Sequence, residues 1–239
     1  MADNKPLEGR IALVTGASRG IGAATAQALA AAGAHVVLTA RNAKDLEAVE
    51  DAIHEAGGTA TIAPMDLTES DSISRLAVAV AERWERLDIL VINAAMLPSL
   101  TPVAQIEPKS FNQALTLNVL ATQALIAAFD PLLRRSEAGR IVGLTSSVCA
   151  EPKAYWGAYA ASKAAFDALL SCHAQEIERI SNTRVAILDP GATRTQMRAR
   201  AYPGEDPNTL KSPANVAEKI GELMVAEFTT GARYRLEND

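Results

Sequence analysis

The run Ile11-Ala12-Leu13-Val14-Thr15-Gly16-Ala17-Ser18-Arg19-Gly20-Ile21-Gly22 decides the fold. Its first five residues form a short apolar strand rich in β-branched side chains. Three glycines follow at Gly-x-x-x-Gly-x-Gly spacing. Ala23 to Ala32 is then a string of strong helix formers closed by Gly33. A strand that breaks into a glycine turn and then a helix aims backbone N–H groups and the positive end of the helix at one point, which suits a pyrophosphate. A glycine turn that binds nothing shares the same pattern. No Gly-Lys-Ser/Thr follows, which disfavours a nucleoside-triphosphate loop.

Outward from this run, apolar stretches bounded by turn residues alternate with helical periodicity along the whole chain. Strands are expected at His35 to Ala40, Thr59 to Met65, Leu87 to Asn93, Ile141 to Thr145, Arg184 to Leu188 and Ala232 to Leu236. Helices are expected from the charged stretch ending near Glu55, from Glu69 to Arg86, Pro108 to Arg135, Tyr155 to Ile180 and Pro213 to Glu227. The polar segment 193–213 is too long for an ordinary connection and reads as a lid. The pattern predicts an α/β fold: a doubly wound, mostly parallel seven-stranded sheet with helices on both faces. Without repeats or linkers, residues 1–239 read as one domain.

The 239 residues are 49% hydrophobic but only 4% aromatic, so the core is built from Ala, Val, Leu and Ile. A net charge of -5 leaves no electrostatic footprint for nucleic acid or an anionic membrane. Cys149 and Cys172 form no CxxC, and His35, His54 and His173 are scattered, so no metal site is expected. The N-terminal Met1 to Pro6 lacks the apolar run of a leader, and no apolar segment is expected to approach membrane-spanning length. These features predict a cytoplasmic protein whose partner is a small molecule or a second copy of itself.

Candidate site residues gather at the strand ends. At the end of the second strand, where an unphosphorylated dinucleotide usually meets Asp or Glu, the chain reads Ala40-Arg41, and Arg19 lies in the glycine turn. Two arginines near one 2′-phosphate make a charge-assisted site; as surface residues they would simply be solvated. Asp66, after the third strand, can accept from an adenine amino group or cap the next helix. Ser146 ends the fifth strand, and Tyr159 and Lys163 follow on one face of the next helix. An ammonium near a phenol favours its ionised form and makes a tunable acid. Asn118, unfavourable by propensity, sits in the middle of a long helix.

The joint pattern Thr15-Gly16-x-x-x-Gly20-Ile21-Gly22, Asp66, Asn93-Ala94, Asn118, Ser146, Tyr159-x-x-x-Lys163 and Pro190-Gly191 resembles the classical short-chain dehydrogenases/reductases from about Gly9 to the C-terminus. The resemblance implies a Rossmann-like oxidoreductase that moves a hydride between a nicotinamide, NADP(H) in preference to NAD(H), and a small carbonyl or alcohol. Tyr159 would be the general acid or base. Lys163 would lower its pKa, with help from the oxidised nicotinamide, and hold the ribose; Ser146 would position the substrate oxygen, and Asn118 would hold a water linking Lys163 to solvent. Gly16, Ser18, Arg19, Gly20, Ile21, Gly22, Arg41, Asp66, Leu67, Asn93, Ala94, Pro190, Gly191, Thr193 and Thr195 would complete the cofactor site with Tyr159 and Lys163. The two long helices would serve a homodimer or homotetramer.

Two departures from the family pattern stand out. The usual Asn-Asn-Ala-Gly reads Ile92-Asn93-Ala94-Ala95, and Asp189 precedes Pro190-Gly191, where it is read as a solvated loop residue. Met96 to Leu100, Cys149 to Trp156 and the lid are the expected substrate walls, with Cys149 a small apolar lining residue. The lid arginines Arg194, Arg198 and Arg200 are read as facing water in preference to recognising an acidic substrate. A non-catalytic dinucleotide sensor, or an interaction protein on the same fold, remains the alternative; the first usually lacks the Tyr or Lys.

Overall fold

The computed structural model describes residues 5–237. The first residues of the stretch read as lacking a leader lie outside the described residues. Seven strands, β1 (Ile11–Thr15), β2 (His35–Thr39), β3 (Thr59–Ile62), β4 (Ile89–Ile92), β5 (Arg140–Leu144), β6 (Arg184–Asp189) and β7 (Ala232–Arg235), form one sheet. Their order is β3-β2-β1-β4-β5-β6-β7, and every neighbouring pair is parallel, which sharpens the expected mostly parallel sheet. The strand order reverses between β1 and β4, and a crevice opens beyond the carboxyl ends at such a point.

The helices are α1 (Gly20–Ala31), α2 (Ala43–Glu55), α3 (Ser72–Trp84), α4 (Pro108–Leu115), α5 (Ala121–Leu133), α6 (Gly157–Ile177), α7 (Gln196–Ala201) and α8 (Pro213–Val225). Strands β1, β4 and β5 are buried along their whole length, because helices cover both faces. The period-two alternation of β1 sends Ala12 and Val14 toward α1, α2 and α8, and Leu13 toward α3, α5 and α6. Small residues at Gly58 and Gly143 let helices lie close: a methyl added to Gly143 would meet Leu170 Cδ1 at 2.1 Å.

Three expectations change. Helix α3 begins at Ser72 rather than Glu69, because Asp71 adopts φ 60° and Ser72 Oγ donates to the carbonyls of Asp66 and Glu69. The long helix expected from Pro108 is interrupted by a π-turn at Thr116–Leu120, centred on Asn118. Residues 108–133 are nevertheless long and apolar enough to cross a membrane by composition, contrary to the expectation that no segment approaches that length. Leu125, Phe129, Leu132 and Leu133 from this run are packed into the core beneath the sheet. The lid holds a helix of its own, α7, capped by Thr195, whose Oγ1 accepts from Arg198 N at 3.1 Å.

Candidate active site

A cleft of about 2060 Å³ runs across the carboxyl ends of the strands. Gly16, Ser18, Arg19, Gly20 and Ile21 line it below, Ala40 to Ala43 and Asp66 to Thr68 at one end, and Thr145, Tyr159, Lys163 and Pro190 at the other. The glycine turn faces it at the switch point. Gly16 and Gly20 take positive φ values of 66° and 58°, which bring the backbone close to the cleft without steric cost. Arg19, the N-cap of α1, makes no side-chain bond to the first-turn N–H groups, so these donors are available to an anion.

Gly22, expected among the cofactor contacts, stands behind the turn instead. A methyl there would meet Gly16 O at 2.2 Å and Asn93 Nδ2 at 2.6 Å, so this glycine lets α1 dock on the turn. The amide of Asn93 is likewise occupied: it donates to Thr15 O at 2.8 Å and Gly16 O at 3.2 Å. Thr15 Oγ1 completes the seam by donating to Val91 O and accepting from Asn93 N and Ala94 N. The ends of β1 and β4 are thereby clamped beneath the cleft, while Ala94 and the departure Ala95 line it.

At one end, Asp66 Oδ1 accepts from both Thr68 N at 2.9 Å and Thr68 Oγ1 at 2.7 Å. It therefore forms a turn of its own and does not cap α3. Burial pushes its carboxyl up, but the two Thr68 bonds and the nearby Arg41 guanidinium outweigh this and hold it below the usual range. Arg19 and Arg41 are both exposed on the wall of this cleft. Asn42 and Ala43, which the sequence reading did not select, lie beside them at the N-terminus of α2, where Asn42 accepts from Lys44 N.

At the other end, α6 faces the last residues of β5. Ser146 faces the phenol of Tyr159 and favours its phenolate, yet burial pushes the phenol far above its ordinary value, and the Cys149 and Asp189 charges add to that rise. The net shift is thus upward, opposite in sign to the lowering expected from the sequence. Lys163 is 3% exposed, donates to Leu144 O at 2.5 Å and lies 3.9 Å from the Phe166 ring centroid. Burial pushes it down to about 8, against the opposing charges of Cys149, Asp167 and Asp189. Cys149 Sγ sits 3.4 Å from Thr145 Oγ1.

The side-chain amide of Asn118 is engaged with protein. Its Oδ1 accepts from Met96 N at 2.9 Å, and its Nδ2 donates to Met96 O at 3.0 Å and to Ser162 Oγ at 2.9 Å. Ser162 Oγ in turn donates to Tyr159 O at 2.8 Å. Both amide protons are thus spent on protein, and the π-turn brings Asn118 in to tie the cleft wall at Met96 to the backbone of Tyr159. Ser162, buried in the middle of the Tyr159–Lys163 stretch, was missed because a helical serine carries no distinctive spacing.

Asp189 is not a solvated loop residue. It is 8% exposed, accepts from Gly191 N at 3.0 Å, and lies 3.8 Å from Arg235 Nε. Gly191 turns with φ 61°, and its carbonyl and that of Pro190 accept from Thr193 Oγ1. Pro190 and Thr195 line the cleft, whereas Thr193 is buried inside this turn.

The segment 193–213, expected to be a lid, packs on the same wall through Tyr202. Arg198 forms a two-pronged pair with Glu205, both N···O distances 2.6 Å, and lies 3.8 Å over the Tyr202 ring. Tyr202 packs on Trp156 at 5.7 Å between centroids, and Trp156 meets Tyr159 edge-on at 5.9 Å. Arg198 therefore does not face water as expected, while Arg194 and Arg200 line the cleft. Tyr155, next to Trp156, is 59% exposed with φ 72°, and its carbonyl accepts from Thr101 N.

A parallel sheet with a glycine turn at its switch point, facing a Ser/Tyr/Lys wall, defines an oxidoreductase built around a nicotinamide dinucleotide. The sequence model of the family described as short chain dehydrogenase matches residues 10–206. The chain is 40% identical over 213 residues to the oxidoreductase YciK of Escherichia coli strain K12, covering 88% of this chain and 84% of that one. A short chain dehydrogenase structure from Pseudomonas syringae superposes with TM-score 0.94 at 40% identity, covering 98% and 97% of the two chains. One from Escherichia coli CFT073, complexed with NADPH, superposes with TM-score 0.92 at 38% identity and covers 98% of each. The chain belongs to the short-chain dehydrogenase/reductase family, and is an NAD(P)-dependent oxidoreductase acting on the CH–OH/C=O pair of small molecules.

Proposed function

We propose that this chain is an NADP(H)-dependent carbonyl reductase in which Tyr159 is the acid. The observation that carries the proposal is that Tyr159 and Lys163, with Ser146 beside the phenol, line one cleft with the glycine turn. The site fits the dinucleotide: the turn is open where a pyrophosphate must approach, and no carboxylate ends β2 to repel a 2′-phosphate. Gly16, Ser18, Gly20 and Ile21 would receive the pyrophosphate, Arg19 and Arg41 the 2′-phosphate, and Asp66 and Leu67 the adenine side. Ala94, Pro190 and Thr195 would border the remaining length, and Asn93, Gly22, Gly191 and Thr193 would hold the backbone that forms it. The likeness to a neighbour crystallised with NADPH supports the phosphorylated cofactor.

When bound, the nicotinamide supplies the hydride. Ser146 orients the carbonyl oxygen. Tyr159, kept protonated by its burial, passes its phenolic proton to that oxygen and becomes a phenolate, which the Ser146 hydroxyl stabilises. Lys163 provides the nearby positive charge, and Asn118 fixes both Met96 and the Tyr159 backbone. The protein would act in the cytoplasm as a dimer or tetramer through α4, α5 and α6. The test follows NADPH absorbance with a panel of aldehydes and ketones, wild type against Tyr159→Phe. Turnover in the wild type that the variant loses is the expected result; equal turnover in both rejects the acid.

A further inference from the structure

Three successive turns of α6 hold three successive residues at the end of β5. Lys163 holds Leu144 through its carbonyl, and Tyr159 meets Ser146. One turn beyond Lys163, Asp167 Oδ1 accepts from Oγ1 of the intervening Thr145 at 2.7 Å. The reaction proposed above gives Asp167 no task. Its other oxygen receives Arg233 Nη2 at 2.5 Å from the edge strand β7, and Arg233 Nη1 reaches Ser171 Oγ at 3.5 Å. The Asp167 side chain is 14% exposed and Thr145 8%, so the bond is largely shielded from water. A hydroxyl bonded to a carboxylate with a guanidinium behind it is a charge-assisted arrangement of the strong kind.

Thr145 is held from both sides. Its backbone N donates to Leu188 O at 2.8 Å, and its hydroxyl is held by Asp167. Ser146 leaves the strand immediately after it in an extended conformation, φ -158° and ψ 147°. The direction of that departure decides where the Ser146 hydroxyl lies relative to Tyr159.

We infer that Asp167, anchored by Arg233, is a positioning residue that locks Thr145 and so aims Ser146 at the Tyr159 phenol. The inference rests on the proposed reaction. Asp167 also stands one helical turn from Lys163. Around Lys163 the charged or titratable groups are Asp167 and Tyr159 on its own helix, Asp189 at the end of β6 and Cys149 after β5. Asp167 itself is faced by Arg233 from β7.

The test compares Thr145→Val, which removes the bond and keeps the charge, with Asp167→Asn, which keeps an acceptor oxygen and removes the charge. Rates are read as NADPH oxidation with the aldehyde or ketone that the wild type reduces fastest. Thr145→Val is expected to lower kcat about ten- to a hundred-fold, the scale of a small misplacement of a reacting group, with KM for NADPH nearly unchanged. Thr145→Ser restores most of the rate. Asp167→Asn additionally moves the alkaline limb of kcat to lower pH, because Lys163 loses a neighbouring negative charge; Thr145→Val leaves that limb in place. Unchanged kcat in both variants, in an enzyme that Tyr159→Phe inactivates, overturns the inference and spares the reaction. If turnover survives Tyr159→Phe, or no carbonyl is reduced, the reaction has failed instead. Crystal structures of the Thr145→Val and Asp167→Asn proteins then decide: a Ser146 Oγ displaced by more than about 0.5 Å supports the lock, and an unmoved one overturns it.

Discussion

The ammonium of Lys163 is bonded to the carbonyl of Leu144, 2.5 Å away, in a pocket that leaves the side chain almost no contact with water. A lysine held at about 8 against an ordinary 10.5 costs the folded state about 3 kcal/mol near neutral pH. The folded value is the lower one, so the unfolded chain binds more protons between about 8 and 10.5, and stability rises with pH across that window. Lys163→Met is therefore expected to be more resistant to urea than the wild type at pH 7, to lose this advantage toward pH 10, and to be nearly inactive. Urea melts at the two pH values, with a rate assay at each, check this.

Tyr159 and Lys163 titrate in an order set by burial. The phenol of Tyr159 is pushed far up and Lys163 down to about 8, so the lysine loses its proton first as pH rises. Carbonyl reduction should fall on an alkaline limb near pH 8, with the tyrosine still protonated. Tyr159→Phe should cost about 10²- to 10⁴-fold in kcat at any pH. A kcat/KM profile for the reductive direction reads both, and a limb near the tyrosine's ordinary value would contradict the order.

Arg41 lines the cleft where β2 ends and close enough to Asp66 to lower its carboxyl. Removing a guanidinium from a phosphate loses a charge-assisted bond of about 1.5–3 kcal/mol. Arg41→Ala should weaken NADPH at least about tenfold and NADH far less. Fluorescence titration with both cofactors measures the difference, and equal losses would remove the 2′-phosphate from this residue.

Tyr202 bridges Arg198 and Trp156, so its ring couples α7 to the wall of Tyr159. Tyr202→Ala gives up aromatic contacts of about 0.5–1.5 kcal/mol each. We expect a higher KM for the carbonyl compound, little change in NADPH affinity, and a melting temperature within a few degrees of wild type, since the lid adds little to the core. A matched loss in NADPH affinity would place the ring in the cofactor site instead.

The sheet was legible because each strand is a short apolar run cut off by Gly, Pro, Asp or Asn, and because parallel strands buried on both faces have little sequence freedom. Ser146, at a strand end, and Tyr159 and Lys163, on one helix face, drew a role from the joint pattern along the chain, since the Tyr/Lys spacing alone fits many solvated helices. What spacing hides is how a polar side chain distributes its bonds. Asn118 looked available to a water, but the π-turn directs it onto Met96 and Ser162. Asp189 looked solvated because it precedes Pro-Gly, yet it closes that turn from within by accepting from Gly191 N. Asp167 drew no attention because an acidic residue on a helix usually faces water; its partners, Thr145 just past β5 and Arg233 in β7, lie 22 and 66 residues away in sequence.

The stacking of Trp156 between Tyr202 and Tyr159 has a practical side. The chain has two tryptophans, and the other, Trp84, ends α3 beside His35, at the start of β2 and away from the cleft. Trp156 is thus an intrinsic fluorophore set between Tyr202 and Tyr159, and Trp84 is its internal reference. Trp84→Phe would isolate the Trp156 emission, and stopped-flow recording of that signal could time the docking of α7 against turnover without any attached label.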